Sequence, residues 1–231
     1  MTHHLLAPRR AVALTLTVAL AGAGLLGTVG VVAAEAATPP VVSPSTTTGV
    51  TADALPTAQI DPQGWVEDQA ITGDTVYAAG SFSSARPAGA AAGTSESARH
   101  NLLSYSLSTG NLGGFAPNIN GEVRSVVVSG SRLYVGGDFT SVDGATHNHL
   151  VAFSLSTGKV DPTFKVDVNG PVYAVAATSS TVYVGGQFTA ANGNNRGRLA
   201  AFRALDGAVL AGWTPKTDGA SVKALLVAPG G

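Results

Sequence analysis

The sequence predicts an all-β fold of stacked four-stranded blades, each about 49 residues long, and three observations predict it. One is a fixed repeat, the second is a set of four short β-rich runs inside each period, and the third is the absence of cysteine. The repeat is clearest at Leu133-Tyr134-Val135-Gly136-Gly137-Asp138-Phe139, which returns 49 residues later as Val182-Tyr183-Val184-Gly185-Gly186-Gln187-Phe188. A looser copy precedes both at Val76-Tyr77-Ala78-Ala79-Gly80-Ser81-Phe82.

Three further markers keep the period. Leu102–Gly110 returns as Leu150–Gly158 and as Leu199–Gly207, at offsets of 48 and 49. The aromatics Phe115, Phe164 and Trp213 step by 49, as do the pairs Asn120-Gly121, Asn169-Gly170 and Asp218-Gly219. Periods of roughly 20–50 residues signal solenoids, propellers or arrays, and several short strands per unit favour a propeller blade. Within one period Val123–Val128, Arg132–Phe139, Leu150–Leu155 and Phe164–Val168 read as strands rich in Val, Tyr, Phe and Leu. Ser129-Gly130-Ser131, Ser156-Thr157-Gly158 and Asn169-Gly170 read as the turns between them.

On a strand Leu133, Val135, Gly137 and Phe139 share one face and Tyr134, Gly136 and Asp138 the other. Both faces are partly apolar, as expected of a strand sandwiched between two blades. The paired glycines then read as places where a neighbouring backbone or large side chain comes close. These units form a β-propeller, and the ring is incomplete: three blades and the first strand of a fourth, Val222–Val227, fall short of the 4–8 blades of a closed one. The expectation is a fragment of a longer protein, or an open array completed by another chain.

The domain organisation follows from composition. A basic head, Met1–Arg10, precedes an uncharged apolar run from Ala11 to Ala34, and Ala34-Glu35-Ala36 offers a small-x-small cleavage site. Residues 1–36 are therefore expected to be a secretory signal peptide. An uncleaved membrane anchor is the alternative, because the run exceeds the usual length. Arg9-Arg10 leaves general and twin-arginine export both open. Residues 37–57 are rich in Pro, Thr and Ser and read as a linker, and 58–231 as the partial propeller. In unit one the connection from Phe82 to Leu102 is longer than its counterparts, with an Ala/Gly/Ser-rich surface insertion at Pro87–Ser97.

Without cysteine neither disulfides nor thiolate metal sites can hold an exported chain together, so stability must come from stacking repeats. Removing 1–36 leaves a net charge of about −2 with no basic stripe, which gives nucleic-acid binding no electrostatic support.

The markers Tyr134-Val135-Gly136-Gly137 and Tyr183-Val184-Gly185-Gly186, with Phe139 and Phe188, resemble the delta-60 repeat β-propellers of secreted bacterial proteins. They resemble more distantly the propeller part of fungal cortical-marker proteins. The resemblance covers about Ala58 to Gly231, and unit one departs from it at Ala78-Ala79-Gly80. It implies a secreted or surface-attached propeller, often beside adhesion-type domains, with no agreed enzymatic activity.

Candidate sites read blandly. Gly22–Gly27 matches the dinucleotide fingerprint but lacks the surrounding strand and helix. Gly136-Gly137-Asp138-Phe139 is superficially like a nucleotide-cyclase signature, yet Gln187 and Ser81 replace Asp138 in the other units. His147 and His149, with Asp143 nearby, could form a weak metal or proton site, whereas His100 stands apart. Asp143-Gly144 and Asn192-Gly193 read as turns rather than calcium loops. Glu67 and Asp68 are adjacent, so on a strand they face opposite ways. Asn120, Asn169 and Asp218 read as strand terminators. No catalytic, cofactor-binding or metal-ligating residue is assigned. The expected function is an exported, non-catalytic module that binds a protein or glycan at the cell surface. The alternative is a propeller enzyme of the hydrolase or dehydrogenase class, with its catalytic residues in further blades.

Overall fold

The computed structural model describes residues 56–217 and 219–228, and no helix occurs among them. The expected signal peptide lies outside them, as do Asp218 and all of the linker but Pro56 and Thr57. The first unit runs β1 (Gln59–Ile60), β2 (Trp65–Thr72), β3 (Thr75–Ser81), β4 (Ser84–Arg86), β5 (Ser97–Ala98) and β6 (Leu102–Ser106). The second contains β7 (Val123–Ser129), β8 (Arg132–Gly137), β9 (Ser141–Val142), β10 (Ala145–Thr146) and β11 (Leu150–Ser154). The third contains β12 (Val172–Ala177), β13 (Thr181–Gly186), β14 (Ala190–Ala191), β15 (Asn194–Asn195) and β16 (Leu199–Arg203).

Beside a smaller sheet, β1-β4-β5, β9-β10 or β14-β15, each unit makes one main antiparallel sheet in chain order, β2-β3-β6, β7-β8-β11 and β12-β13-β16. The first strand of each sheet is the one nearest its neighbours, so β7 runs between β2 and β12. These are propeller blades in an open array. The middle strands β3, β8 and β13 carry the repeat's most faithful residues and are almost wholly buried on both faces. A strand enclosed by two blades needs apolar or absent side chains on both sides, which is why the sequence there lacks polar alternation.

The fourth strand is where structure and sequence differ. Phe164–Val168 was expected to be extended and paired, but it lies outside the sheets, and only Val168 makes a bridge, to Ala191. The outermost position is held instead by single bridges, Tyr105 to Leu112, Phe153 to Val160 and Phe202 to Val209. In the second blade the chain reverses at Gly158, whose φ is +65°, and pairs through Ser154 N to the Lys159 carbonyl and Asp161 N to the Ala152 carbonyl before it leaves the sheet. The Pro87–Ser97 insertion leads from β4 into β5, whose first residue is Ser97, where the other units have the two-residue turns Asp143-Gly144 and Asn192-Gly193. All four of those turn residues have positive φ, as a two-residue hairpin turn requires.

Three apolar clusters follow the stacking. One lies between blades one and two around Val123, Val135, Phe139 and Phe153. Another lies between blades two and three around Tyr134, Val172, Val184 and Phe202. The third backs the first blade at Val76, Leu103 and Tyr105. The repeated tyrosine and the repeated aromatic marker form one contact. Tyr77 meets Phe115 edge-on at 5.3 Å, Tyr134 meets Phe164 at 5.2 Å, and Tyr183 meets Trp213 at 5.3 Å.

The two repeated glycines serve different contacts. A methyl group on Gly136 would stand 2.6 Å from Val172 and 2.7 Å from Val175, side chains of the next blade. A methyl group on Gly137 would meet the main-chain carbonyl of Glu122 in its own blade. Gly185 and Gly186 repeat this, against Val222 of the fourth unit and the carbonyl of Pro171. In unit one Ala79 stands where Gly136 does and is fully buried, so the first junction accommodates a methyl. Gly136→Ala should lower the unfolding free energy by about 1–3 kcal/mol, the usual cost of overpacking. Gly137→Ala should cost more, since a backbone carbonyl cannot change rotamer. Urea denaturation of the two variants checks the order.

Candidate binding surface

The second glycine of each pair sets up the surface. β2 and β3 pair Val66 with Gly80 and then Asp68 with Ala79, which leaves Glu67 as an extra residue. The same bulge occurs between Val123 and Ser125 and between Val172 and Ala174, leaving Arg124 and Tyr173. At each bulge the carbonyl before the valine closes on the glycine opposite, where any Cβ would collide with it. One additional side chain per blade is thereby turned out of the sheet.

These side chains form a continuous row across the blades. Glu67 lies 3.8 Å from Arg124. The Arg124 guanidinium sits 5.2 Å from the ring centre of Tyr173, and Lys223 Nζ, one unit further on, lies 3.6 Å from the same ring centre. The residue after each glycine pair anchors the row. Arg124 Nε donates to both oxygens of Asp138 at 3.0 Å and Nη2 donates to Oδ2 at 2.8 Å, while the Tyr173 hydroxyl donates to Gln187 Oε1 at 2.9 Å. Arg124 Nη2 also lies 2.8 Å from Glu122 Oε2. Trp65 Nε1 donates to Glu67 Oε1 at 3.2 Å and Glu122 Oε1 at 3.1 Å, so one indole N–H bridges blades one and two. Its side chain remains 49% exposed.

Three carboxylates, Glu67, Glu122 and Asp138, thus surround one guanidinium. Burial pushes the Glu122 carboxyl above its ordinary value and the Glu67 carboxylate adds to this, while Trp65 and Arg124 oppose it.

Asp68 faces the other way, as its place beside Glu67 requires. Its Oδ2 accepts from Ser125 Oγ at 3.1 Å and from Val126 N at 2.8 Å, and Ser125 Oγ accepts from Val175 N at 3.1 Å. This relay, half-buried at Asp68 and buried at Ser125, ties the inner strands of all three blades together. Sequence reasoning foresaw the opposition of Glu67 and Asp68 but missed the meeting of Glu67 with Glu122. The available signal was positional: Glu67, Arg124 and Tyr173 occupy one place in the repeat, and Ser81, Asp138 and Gln187 another.

The other candidates have structural roles. Asn120 Oδ1 accepts from Thr140 N and Ser141 N, both at 2.9 Å, and Asn169 Oδ1 accepts from Thr189 N at 2.9 Å and Ala190 N at 2.8 Å. They clamp the loop after each phenylalanine. Asp61 does the same in unit one, accepting from Ser83 N at 2.7 Å and Ser84 N at 3.2 Å. Asp143 and Asn192 accept from Asn118 N and Asp167 N at 2.8 and 2.7 Å. His149 adopts a φ of +63° with Nδ1 3.2 Å from the Gly137 carbonyl. Burial lowers the pKa of His147 against the pull of Asp143. Arg99 and Arg196 stand where His147 does and donate to main-chain carbonyls, Ala98 and Gly113 for one, Asn195 and Leu210 for the other. No group of three or more His, Cys, Asp or Glu poised for a metal occurs among the described residues.

A match to one protein family agrees with the blades. A β-propeller family described as a domain of unknown function, DUF5122, matches residues 131–164, a stretch holding the middle and outer strands of blade two. No curated protein matches the chain. The crystal structure of the computationally designed Ika4 protein is similar at a TM-score of 0.42 and 15% identity, covering 74% of this chain and 84% of that one.

Because the fold raises the Glu122 pKa, the protonated carboxyl favours the folded state fully below its ordinary 4.5, and that contribution is lost as pH rises through the folded value. Glu122→Gln holds a neutral group at all pH. The variant should therefore gain stability relative to the natural chain between pH 4.5 and neutrality, which paired urea titrations measure.

Proposed function

We propose that this chain is an exported, non-catalytic β-propeller module that binds a protein or glycan at the cell surface through the Trp65–Glu67–Arg124–Tyr173 row. The observation that carries this reading is the geometry of the row. Four units contribute to it, its polar atoms are already held by neighbours, and an indole stands half exposed at its head. Trp, Tyr and Arg dominate binding energy at interfaces. Side chains ordered before the ligand arrives lose little further entropy. An indole face suits the C–H face of a sugar or an apolar side chain, and the flanking carboxylates suit hydroxyl or amide donors. Similarity to the delta-60 repeat propellers supports the same reading.

Two measurements test it. Full-length protein screened against surface polysaccharides and surface proteins by calorimetry should yield a ligand whose affinity falls at least about tenfold with Trp65→Ala, a loss of roughly 1.4 kcal/mol. Binding indifferent to Trp65 and Arg124, or turnover of glycoside, ester or alcohol substrates, would overturn the proposal. Export predicts that protein recovered outside the cytoplasm begins near Ala37 by mass spectrometry, and retention of Met1–Ala36 would indicate an uncleaved anchor instead.

A further inference from the structure

A cleft of about 560 Å³ lies at the junction of blades two and three, between the β7–β8 turn at Ser131, the β12–β13 turn at Ser179 and Ser180, and the end of β16 at Arg203, Ala204 and Leu205. One small residue opens it. In each unit the residue after the outer strand donates its N–H to a carbonyl of an inner hairpin turn: Leu107 to Asp74, Leu155 to Ser131 and Ala204 to Ser180, at 2.7, 2.9 and 2.8 Å. Leu155 packs into the apolar cluster of the first junction, whereas Ala204 brings only a methyl group to the second. The Arg132 guanidinium crosses the second junction there. Its Nε donates to Asp161 Oδ2 at 2.7 Å and its Nη2 to Thr163 Oγ1 at 2.8 Å. Its Nη1 donates to the Ala204 carbonyl, and both terminal nitrogens donate to the Leu205 carbonyl at 3.2 Å.

We infer that this cleft binds a neutral saccharide. Its charges are already matched: Arg132 pairs with Asp161, and Arg203 pairs with Asp206, whose Oδ1 accepts from Arg203 Nε at 2.8 Å. All five N–H groups of Arg132 are engaged within the protein, so this buried end of the cleft offers no free donor to an anion. What remains is hydroxyl. The Ser131 and Ser179 side chains have no hydrogen-bond partner among the described residues, and Ser129 Oγ, which donates to the Thr178 carbonyl at 3.0 Å, keeps its lone pairs. Each serine offers one donor and two acceptor positions, the complement of a sugar hydroxyl. Leu205, 69% exposed, supplies an apolar surface for the C–H face of a pyranose ring. The volume is that of a small-ligand site, and a guanidinium held at five points forms a wall ordered before the ligand arrives. The Trp65 row is a separate surface, because Arg124 and Ser129 stand near opposite ends of β7, about 17 Å apart at the rise of a strand. This inference does not depend on that row.

The test titrates the full chain with maltotriose, cellotriose, mannotriose and the trimer of galacturonic acid by calorimetry. Saturable binding of at least one neutral trimer is expected, with the acidic trimer at least tenfold weaker. Affinity should hold constant between about 50 and 500 mM salt, since no ion pair forms on binding. Ser131→Leu and Ser179→Leu, at exposed positions that leave the blades folded, should each weaken the neutral trimer at least tenfold. Ala204→Leu, which places in unit three the side chain that Leu107 and Leu155 carry in the others, should fill the cleft and abolish binding. Trp65→Ala should leave this affinity unchanged. Absence of binding by every neutral trimer, preference for the acidic one, or full affinity in both serine variants would each overturn the inference. Loss of trimer binding with Trp65→Ala alone would overturn it too, by placing the sugar on the row instead.

Discussion

A main-chain carbonyl pressed against a glycine is the contact on which the rest of each blade depends. Where Glu122 O meets Gly137, and where Trp65 O and Pro171 O meet Gly80 and Gly186, a side chain of any size would force the inner strand away. The close approach creates a bulge, and the bulge changes which way the following residues point. Glu67, Arg124 and Tyr173 turn outward together because the same distortion recurs in each blade. Asp68 and Ser125 are left facing inward, where they supply the hydrogen bonds that join neighbouring inner strands.

The adjacent glycine answers a demand from outside the blade. Blades lean on one another through the faces of their middle strands, and Val172 with Val175 occupies the volume that a methyl on Gly136 would need. Sheet geometry within a blade and spacing between blades are therefore fixed at consecutive residues. With no disulfide possible in a chain that lacks cysteine, these contacts and the aromatic pairs at each junction are the sources of cohesion. Polar ties supplement them, such as Arg132, which joins Asp161 at 2.7 Å and reaches the Leu205 carbonyl at 3.2 Å across the second junction.

Much of the architecture was legible in sequence. The three strands of each blade, the Asp143-Gly144 and Asn192-Gly193 turns and the insertion in unit one stand where pattern placed them. The fourth strand does not: Phe164–Val168 has strand composition, yet the outer pairing stops after one bridge in each of the three blades, with Gly114, Pro162 and Ala211 at the same place, so composition carries no sign of the break. Asn120 and Asn169, which the sequence marks as strand terminators, directly follow the bridging residues Ile119 and Val168 and also clamp a loop some 20 residues further on. The row from Trp65 to Tyr173 was illegible for a different reason: its members differ in chemistry from blade to blade, so no motif recurs.

By itself the sequence determined the repeat, its β character and the recurrence of glycine at positions 80, 137 and 186, because period and side-chain size are properties of the chain. Tertiary structure alone decided that Glu67 and Glu122, far apart in sequence, share one indole N–H, and that Tyr173 lies between Arg124 and Lys223. Those meetings depend on how blades stack and on the direction each bulge turns its extra residue. Stacking geometry arises from packing between units, and a pattern read one unit at a time carries no record of it.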